Sequence, residues 1–287
     1  MGRAGNNAAP GGPPLTATRL VVSDLDGTLL RSDGTLSRHT KEVLAQVHDS
    51  GVEVVFATAR PARAAMRRLA DLPFRGTVIC SNGAAVFDAA TERLYRVRPL
   101  PRREALDIVD FIRSHFGSAA VAVDGTAGRV MDPGWPPASS SVPGQATLWP
   151  MTGEMLPALK MICLMVVNAW SDYRDVPDRW SVTVTSSASG LIEFSASSAT
   201  KLSALRWCCR RRGIALGDVI AFGDMPNDID LLTAVGTGVA VANAHLDVLS
   251  AVPWRTESND EDGVAAFLEG YVLTARAGRA ARARTTQ

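Results

Sequence analysis

Short apolar runs alternate with amphipathic stretches over the first part of the chain, a pattern that predicts strands followed by helices. Buried strands are predicted at residues 20–22, 52–56 and 77–80, and helices at residues 37–50 and 61–70. Ser37 suits a helix N-cap, Gly51 suits the position after a helix, and Pro61 suits a first turn. Strand–helix–strand repetition of this kind predicts an α/β fold, a doubly wound, mostly parallel sheet with right-handed crossovers.

The alternation returns near residue 200, after a middle block of different character. The returning elements are a helix at 200–212, a strand at 218–222, a helix at 229–234 and a strand at 238–241. The middle block has a helix at 104–116, strands at 119–123, 161–167, 181–185 and 191–194, and a loop rich in Pro, Gly and Ser at 132–150. We therefore predict a sheet domain of residues 18–84 and 193–270, interrupted by an inserted α+β domain of residues 85–192. Residues 1–17 and the Arg-rich residues 271–287 are predicted to be disordered tails.

Composition narrows the class of protein. The 287 residues are 46% hydrophobic, enough for a packed core, and 30 basic against 29 acidic residues leave a net charge of +1. This balance predicts no nucleic-acid or membrane partner, and no apolar run approaches the roughly 20 residues that span a bilayer. The cysteines are Cys80, Cys163, Cys208 and Cys209. Without Cys-x-x-Cys spacing they favour reduced thiols in a cytoplasmic protein over a zinc site or disulfides.

Asp24 and Asp26 follow the first predicted strand, and Gly27 permits a sharp turn directly after them. Side chains two residues apart point the same way, so the two carboxylates leave the strand end on one side. Such a pair is stabilised by a cation, and Mg²⁺ prefers oxygen ligands of this kind. The alternative is an ordinary acidic turn.

Three other element ends carry side chains suited to one phosphate group. Thr58 follows the second strand, Lys201 begins a helix, and Asp224 and Asp228 follow the strand at 218–222. Ligands of open parallel sheets bind outside the carboxyl ends of the strands. The combination therefore favours a phosphoryl-transfer site over an acidic turn.

These segments resemble the four motifs of the haloacid dehalogenase superfamily. The motifs are Asp24-Leu25-Asp26-Gly27-Thr28-Leu29, then Thr58, Lys201 and Gly223-Asp224-x-x-Asn227-Asp228. Ser81-Asn82-Gly83-Ala84 and Asn259-Asp260-Glu261-Asp262-Gly263-Val264 are similar to stretches of its Cof-type phosphatase branch. The resemblance covers residues 20–268 and implies a Rossmann-like core with an inserted mobile cap. Ala59 departs from it, because relatives commonly have Thr-Gly-Arg at the second motif.

The resemblance also implies roles for individual residues. Asp24 is the expected nucleophile, Asp26 the general acid and base, and Thr58 and Lys201 the phosphate ligands. Mg²⁺ is expected at the Asp24 carboxylate, the Asp26 backbone carbonyl, Asp224 and Asp228, the last directly or through water. Asn227 is expected to orient Lys201 or the phosphate. Asn82, where the chain enters the cap, is either a donor to a substrate hydroxyl or a turn residue.

The expected function is a Mg²⁺-dependent phosphatase that hydrolyses a small phosphate monoester through an aspartyl-phosphate. A sugar phosphate or a cofactor phosphate is the expected substrate class. A phosphomutase of the same superfamily and a catalytically silent binding module are the alternatives. The arginines of the second predicted helix, and the one just before it, are interpreted as a solvated face, with steering of phosphate as the alternative. They are Arg60, Arg63, Arg67 and Arg68.

Overall fold

The structure is a computed structural model of the chain. It describes residues 18–116, 119–125, 128–132, 135, 146–148, 161–167, 179–186 and 192–274. Within these ranges no helix has the length and apolar character needed to cross a bilayer.

The described residues form two sheets and seven α-helices. The strands are β1 (Leu20–Asp24), β2 (Glu53–Ala57), β3 (Thr77–Cys80), β4 (Ala85–Asp88), β5 (Arg93–Val97), β6 (Ala120–Gly125), β7 (Gly128–Met131), β8 (Ala146–Leu148), β9 (Met161–Val167), β10 (Val182–Ser186), β11 (Ile192–Ala196), β12 (Val219–Gly223), β13 (Thr237–Ala240) and β14 (Trp254–Arg255). The helices are α1 (Arg38–Asp49), α2 (Ala62–Arg68), α3 (Arg102–His115), α4 (Lys201–Arg212), α5 (Ile229–Ala234), α6 (Leu246–Ala251) and α7 (Gly263–Phe267).

The larger sheet has eight strands in the order β14-β13-β12-β1-β2-β3-β4-β5. Every neighbouring pair from β14 to β3 is parallel, and β1 lies between β12 and β2. All five residues of β1 are buried, as expected for a parallel strand covered on both faces. The predicted doubly wound, mostly parallel sheet is confirmed.

The helices of this sheet begin and end at residues whose side chains or backbone favour a boundary. Ser37 caps α1, because its Oγ accepts a hydrogen bond from the backbone N–H of Thr40 at 2.9 Å. Thr200 caps α4, accepting from the Ser203 N–H at 3.0 Å, and α4 ends at Gly213 in the left-handed region. Since Lys201 is the first residue of α4, this cap fixes where its side chain starts.

The smaller sheet has six strands in the order β10-β11-β9-β6-β7-β8. One of its faces packs on α3, where Ile108 and Ile112 meet Val121 and Phe194 in a separate apolar cluster. β8 lies inside the predicted loop at 132–150, and most of that loop is outside the described residues.

The inserted block begins and ends later than the predicted boundaries of 85 and 192. The hairpin β4–β5 pairs with β3 and extends the larger sheet, and β11 of the smaller sheet continues to Ala196. Alternation along a strand shows which side chains share a face but not which sheet the strand joins, so the pattern left the hairpin's place open.

The predicted tails are described only in part. Residues 1–17 and 275–287 lie outside the described residues. The start at 271 is wrong, because a helical turn over Leu268–Leu273 continues α7 and buries Val272.

Candidate active site

The carboxyl edge of the larger sheet brings the predicted side chains together. Asp24 ends β1, Thr58 follows β2, and Asp224 and Asp228 follow β12, while Lys201 enters from the start of α4. All five residues are buried, and Thr58 and Asp228 have no exposed surface. Buried charges need partners, so the contacts among these groups decide what the site can do.

Lys201 is the central cation of the site. Its Nζ donates to Asp24 Oδ1 at 2.6 Å and to Asp228 Oδ1 at 2.7 Å. Burial lowers the pKa of Lys201, but the two carboxylates raise it by more, so its pKa stays above the ordinary value. The ammonium is therefore a permanent positive charge facing the end of β1.

Asp24, Asp224 and Asp228 form a buried acidic cluster in which one oxygen of each lies within 4.8 Å of the others. Burial raises the pKa of Asp24 well above its usual range, against the lowering effect of Lys201. Burial likewise raises the pKa of Asp224 to about 6, against its hydrogen bond from Thr28. Three crowded oxygen donors whose negative charge is only partly offset fit a divalent cation such as Mg²⁺.

Gly27 and Thr28, directly after Asp26, shape this cluster. The turn at Gly27 was predicted, but the contact of both residues with Asp224 was not. Thr28 Oγ1 donates to Asp224 Oδ1 at 2.6 Å. Gly27 has φ +79°, and a Cβ there would overlap the Asp224 carboxylate. The turn after β1 thus needs glycine both for its backbone and for the space that Asp224 occupies.

The Asp26 carboxylate lies outside the acidic cluster and is held by Arg60. Arg60 Nε and Nη2 each donate to one oxygen of Asp26, both at 2.6 Å. The interpretation of Arg60 as part of a solvated helix face is therefore wrong. Its place two residues after Thr58, at the same strand end, was the signal that could have identified it.

Asn82 and Asn227 contact each other beside Thr58. Asn227 Nδ2 donates to Asn82 Oδ1 at 3.0 Å, and the Asn82 backbone N–H donates to the Thr58 carbonyl at 3.1 Å. Within the described residues, the Asn227 side chain thus meets Asn82 rather than Lys201. Asn82 Nδ2 points to the smaller sheet, where Thr185 and Glu193 accept from it.

The comparison with protein families agrees with this geometry. A family described as haloacid dehalogenase-like hydrolase matches residues 21–133 and 164–268, about three quarters of the chain. The chain belongs to that family. This confirms the resemblance drawn from the motifs, and the chain is an enzyme of this hydrolase family.

Individual haloacid dehalogenase-like relatives align over nearly their whole length. Phosphatase YwpJ of Bacillus subtilis is 29% identical over 282 residues, covering 88% of this chain and 99% of the relative. Pyridoxal phosphate phosphatase YbhA of Escherichia coli is 24% identical over 270 residues, covering 89% and 99%. A haloacid dehalogenase-like hydrolase from B. subtilis superposes with a TM-score of 0.73 at 25% identity, covering 88% and 99%.

Proposed function

We propose that the protein is a Mg²⁺-dependent phosphatase that hydrolyses a small phosphate monoester through an aspartyl-phosphate on Asp24. One observation carries the proposal: Lys201 holds the carboxylates of Asp24 and Asp228 at 2.6 and 2.7 Å, beside Asp224. A nucleophile, a fixed cation and oxygen ligands for a metal ion thus share one buried site. Family membership and relatives named phosphatases support the same reaction class.

The acidic cluster is suited to hold the metal ion. The carboxylates of Asp24, Asp224 and Asp228 would bind it, together with the backbone carbonyl of Asp26. A bound Mg²⁺ neutralises charge on the phosphate oxygens and on the carboxylates around them. Thr28 orients the Asp224 oxygen by its hydrogen bond of 2.6 Å.

Four residues have separate roles in the first half-reaction. An Asp24 oxygen attacks phosphorus, and the bond between phosphorus and the ester oxygen breaks. Lys201 and the Thr58 hydroxyl donate to the phosphate oxygens and stabilise their charge. Asp26, protonated, gives its proton to the leaving alcohol oxygen.

The second half-reaction regenerates the enzyme. Asp26, now a carboxylate, takes a proton from a water molecule whose oxygen attacks phosphorus. The bond between Asp24 and phosphorus breaks, and inorganic phosphate leaves. Arg60 holds the Asp26 side chain by two hydrogen bonds before the reaction begins.

The proposed substrate class is drawn from a relative and from the family resemblance. A relative is named for pyridoxal phosphate, a cofactor phosphate. We propose a sugar phosphate or a cofactor phosphate as the substrate of this protein, with no nucleic-acid partner.

The direct test is phosphate release from a panel of monoesters. Wild-type protein should release phosphate with Mg²⁺ and lose this activity in excess chelator. Asp24→Asn should lower kcat by at least about a thousandfold, since it removes the nucleophile. Asp110→Asn, on the helix of the smaller sheet, is the control and should match wild type. Full activity in chelator or in Asp24→Asn contradicts the proposal, and an isomeric ester without free phosphate identifies a mutase.

A further inference from the structure

The smaller sheet presents a polar face on the side opposite α3. Along β10 and β11 the residues alternate, and Val182, Val184, Ile192 and Phe194 belong to the apolar cluster on α3. The register pairs Thr183 with Ser195 and Thr185 with Glu193 directly across the two strands. These four polar residues therefore share the other face. We call them the polar stripe.

The polar stripe reaches the active site through Asn82. Asn82 Nδ2 donates to Thr185 Oγ1 at 3.3 Å and to Glu193 Oε2 at 3.5 Å. The Thr185 hydroxyl in turn donates to the same Glu193 oxygen at 3.4 Å. Glu193 is thus one side chain away from Asn227 and Thr58.

The backbone at Asn82 is built to hold this orientation. Ser81, Asn82 and Gly83 have φ of +47°, +53° and +99° in succession, which is costly for the first two residues. The Asn82 side chain is anchored because its Oδ1 accepts from Asn227, which leaves its NH₂ group facing the two acceptors on the smaller sheet. Such strain persists where surrounding contacts define one conformation.

We propose that Glu193 selects the leaving group of the substrate. The inference rests on the proposed phosphatase function and names the chemistry of its substrate: a phosphate monoester whose alcohol part carries a hydroxyl or ammonium donor and no second negative charge. A carboxylate near a phosphate site repels the incoming dianion. That repulsion is offset when the leaving group donates a hydrogen bond to Glu193, with Thr185 and Asn82 beside it as further polar contacts.

Four phosphate esters separate this role from a structural one. Glycerol 3-phosphate offers hydroxyl donors, phosphoethanolamine an ammonium, phosphoglycolate a carboxylate, and 4-nitrophenyl phosphate no donor. In Glu193→Gln, kcat/KM should fall about tenfold or more for phosphoethanolamine and several-fold for glycerol 3-phosphate. It should rise about tenfold for phosphoglycolate, whose carboxylate and phosphate are both repelled, and about threefold for 4-nitrophenyl phosphate, where only the repulsion of the phosphate is relieved.

Two further variants complete the experiment. Thr185→Val removes the neighbouring hydroxyl but keeps the charge, so donor substrates should weaken a few-fold while phosphoglycolate gains nothing. Glu42→Gln, an exposed glutamate on α1, should leave all four values unchanged. An equal change for all four esters in Glu193→Gln, at any thermal stability, overturns the inference while leaving the phosphatase function intact. Wild-type protein that releases phosphate from no ester overturns the proposed function itself.

Discussion

At the scale of single residues, the pair formed by Asp26 and Arg60 sets the starting point of the proposed proton transfer. Two hydrogen bonds of 2.6 Å hold the carboxylate to one side of the acidic cluster. The guanidinium fork matches both carboxylate oxygens, which fixes the orientation as well as the position of the side chain. Arg60 therefore acts on the reaction through Asp26 and is a positioning residue.

Replacing Arg60 should slow turnover more than it weakens substrate binding. We expect Arg60→Ala to lower kcat by about tenfold to a hundredfold, since small misplacement of a reacting group has effects of that size. KM should change less than kcat. Arg67→Ala on the exposed side of α2 is the control, and steady-state kinetics with one monoester is the measurement. An unchanged kcat in Arg60→Ala would show that turnover does not depend on the hydrogen bonds from Arg60 to Asp26.

The acidic cluster predicts an unusual pH dependence of stability in metal-free protein. The pKa of Asp224 is about 6 in the folded state, against an ordinary value of 3.8, so the folded protein binds its proton more tightly than the unfolded chain. The free energy of unfolding therefore falls as pH rises from about 4 to about 6. Above that range Asp224→Asn should be more stable than wild type, by on the order of 1 kcal/mol or more.

Thermal unfolding with and without Mg²⁺ measures this effect. At pH 7.5 added Mg²⁺ should raise the Tm of wild type and should raise that of Asp224→Asn much less, because a charged ligand is missing. Asp230→Asn, on the nearby helix α5, keeps all the proposed ligands and should respond like wild type. Equal shifts in all three proteins would place the metal elsewhere.

Several site residues were predictable because each follows an apolar run at an element end. Asp24, Thr58, Lys201 and Asp224 needed only strand and helix boundaries and the rule that ligands meet the carboxyl edge of a parallel sheet. Arg60 was not predictable in this way. Its partner lies 34 residues earlier, and the pairing depends on how two loops turn after leaving neighbouring strands.

At the scale of elements, helix caps link local sequence to the site. Thr200 and Ser203 hydrogen-bond reciprocally at the start of α4, with the Thr200 N–H donating to Ser203 Oγ at 3.2 Å. This reciprocal pair of hydrogen bonds, a capping box, fixes the first turn of the helix that carries Lys201. Ser37 caps α1 by a single hydrogen bond from the Thr40 N–H, without the reciprocal one, and α1 contributes no side chain to the site. A comparison of the two caps therefore distinguishes the effect of a cap on stability from its effect on catalysis.

Matched cap variants make that comparison. Thr200→Val and Ser37→Ala should each lower the free energy of unfolding by about 1 kcal/mol, which denaturant titration measures. Only Thr200→Val should also lower kcat, by several-fold, because the first turn of α4 positions the Lys201 ammonium. Equal kcat values in the two variants would mean that Lys201 is placed by its carboxylate partners alone.

The elements themselves were predictable to different degrees. Helices α1 and α4 have a clear capping residue and a glycine after the last turn, and their predicted ranges agree with the structure to within one residue at each end. No strand was predicted over the hairpin β4–β5, and its residues were assigned to the inserted domain, whereas they extend the larger sheet. Its place is decided by pairing with β3, a tertiary contact that local pattern does not encode.

At the scale of the whole molecule, the chain segments on either side of the insertion meet at Gly83. A Cβ on Gly83 would overlap the backbone carbonyl of Thr200, more than a hundred residues later. The turn that carries Asn82 is thus pressed directly against the start of α4. Neither backbone can shift without moving residues of the site.

Gly83→Ala should therefore disturb both stability and activity. We expect a loss of about 2 kcal/mol or more, since the side chain needs an unfavourable φ and overlaps backbone. Gly51→Ala has φ +83° but nothing within 4 Å of its Cβ, so it isolates the cost of the backbone conformation. Denaturation and steady-state kinetics are the measurements. Equal losses in the two variants would show that the close approach to Thr200 carries no cost.

The central position of β1 has a consequence for biosynthesis. Leu20 pairs with Val219, so one side of this fully buried strand gains its partner only after about 200 further residues have been made. At ribosomal rates of roughly 5–20 residues per second, that interval is on the order of 10–40 s. During this time an apolar strand edge stays open to other chains, and β12 closes it late. β2 pairs on the other edge of β1 and leaves this edge open, so this edge needs other cover, such as a chaperone, until β12 is made.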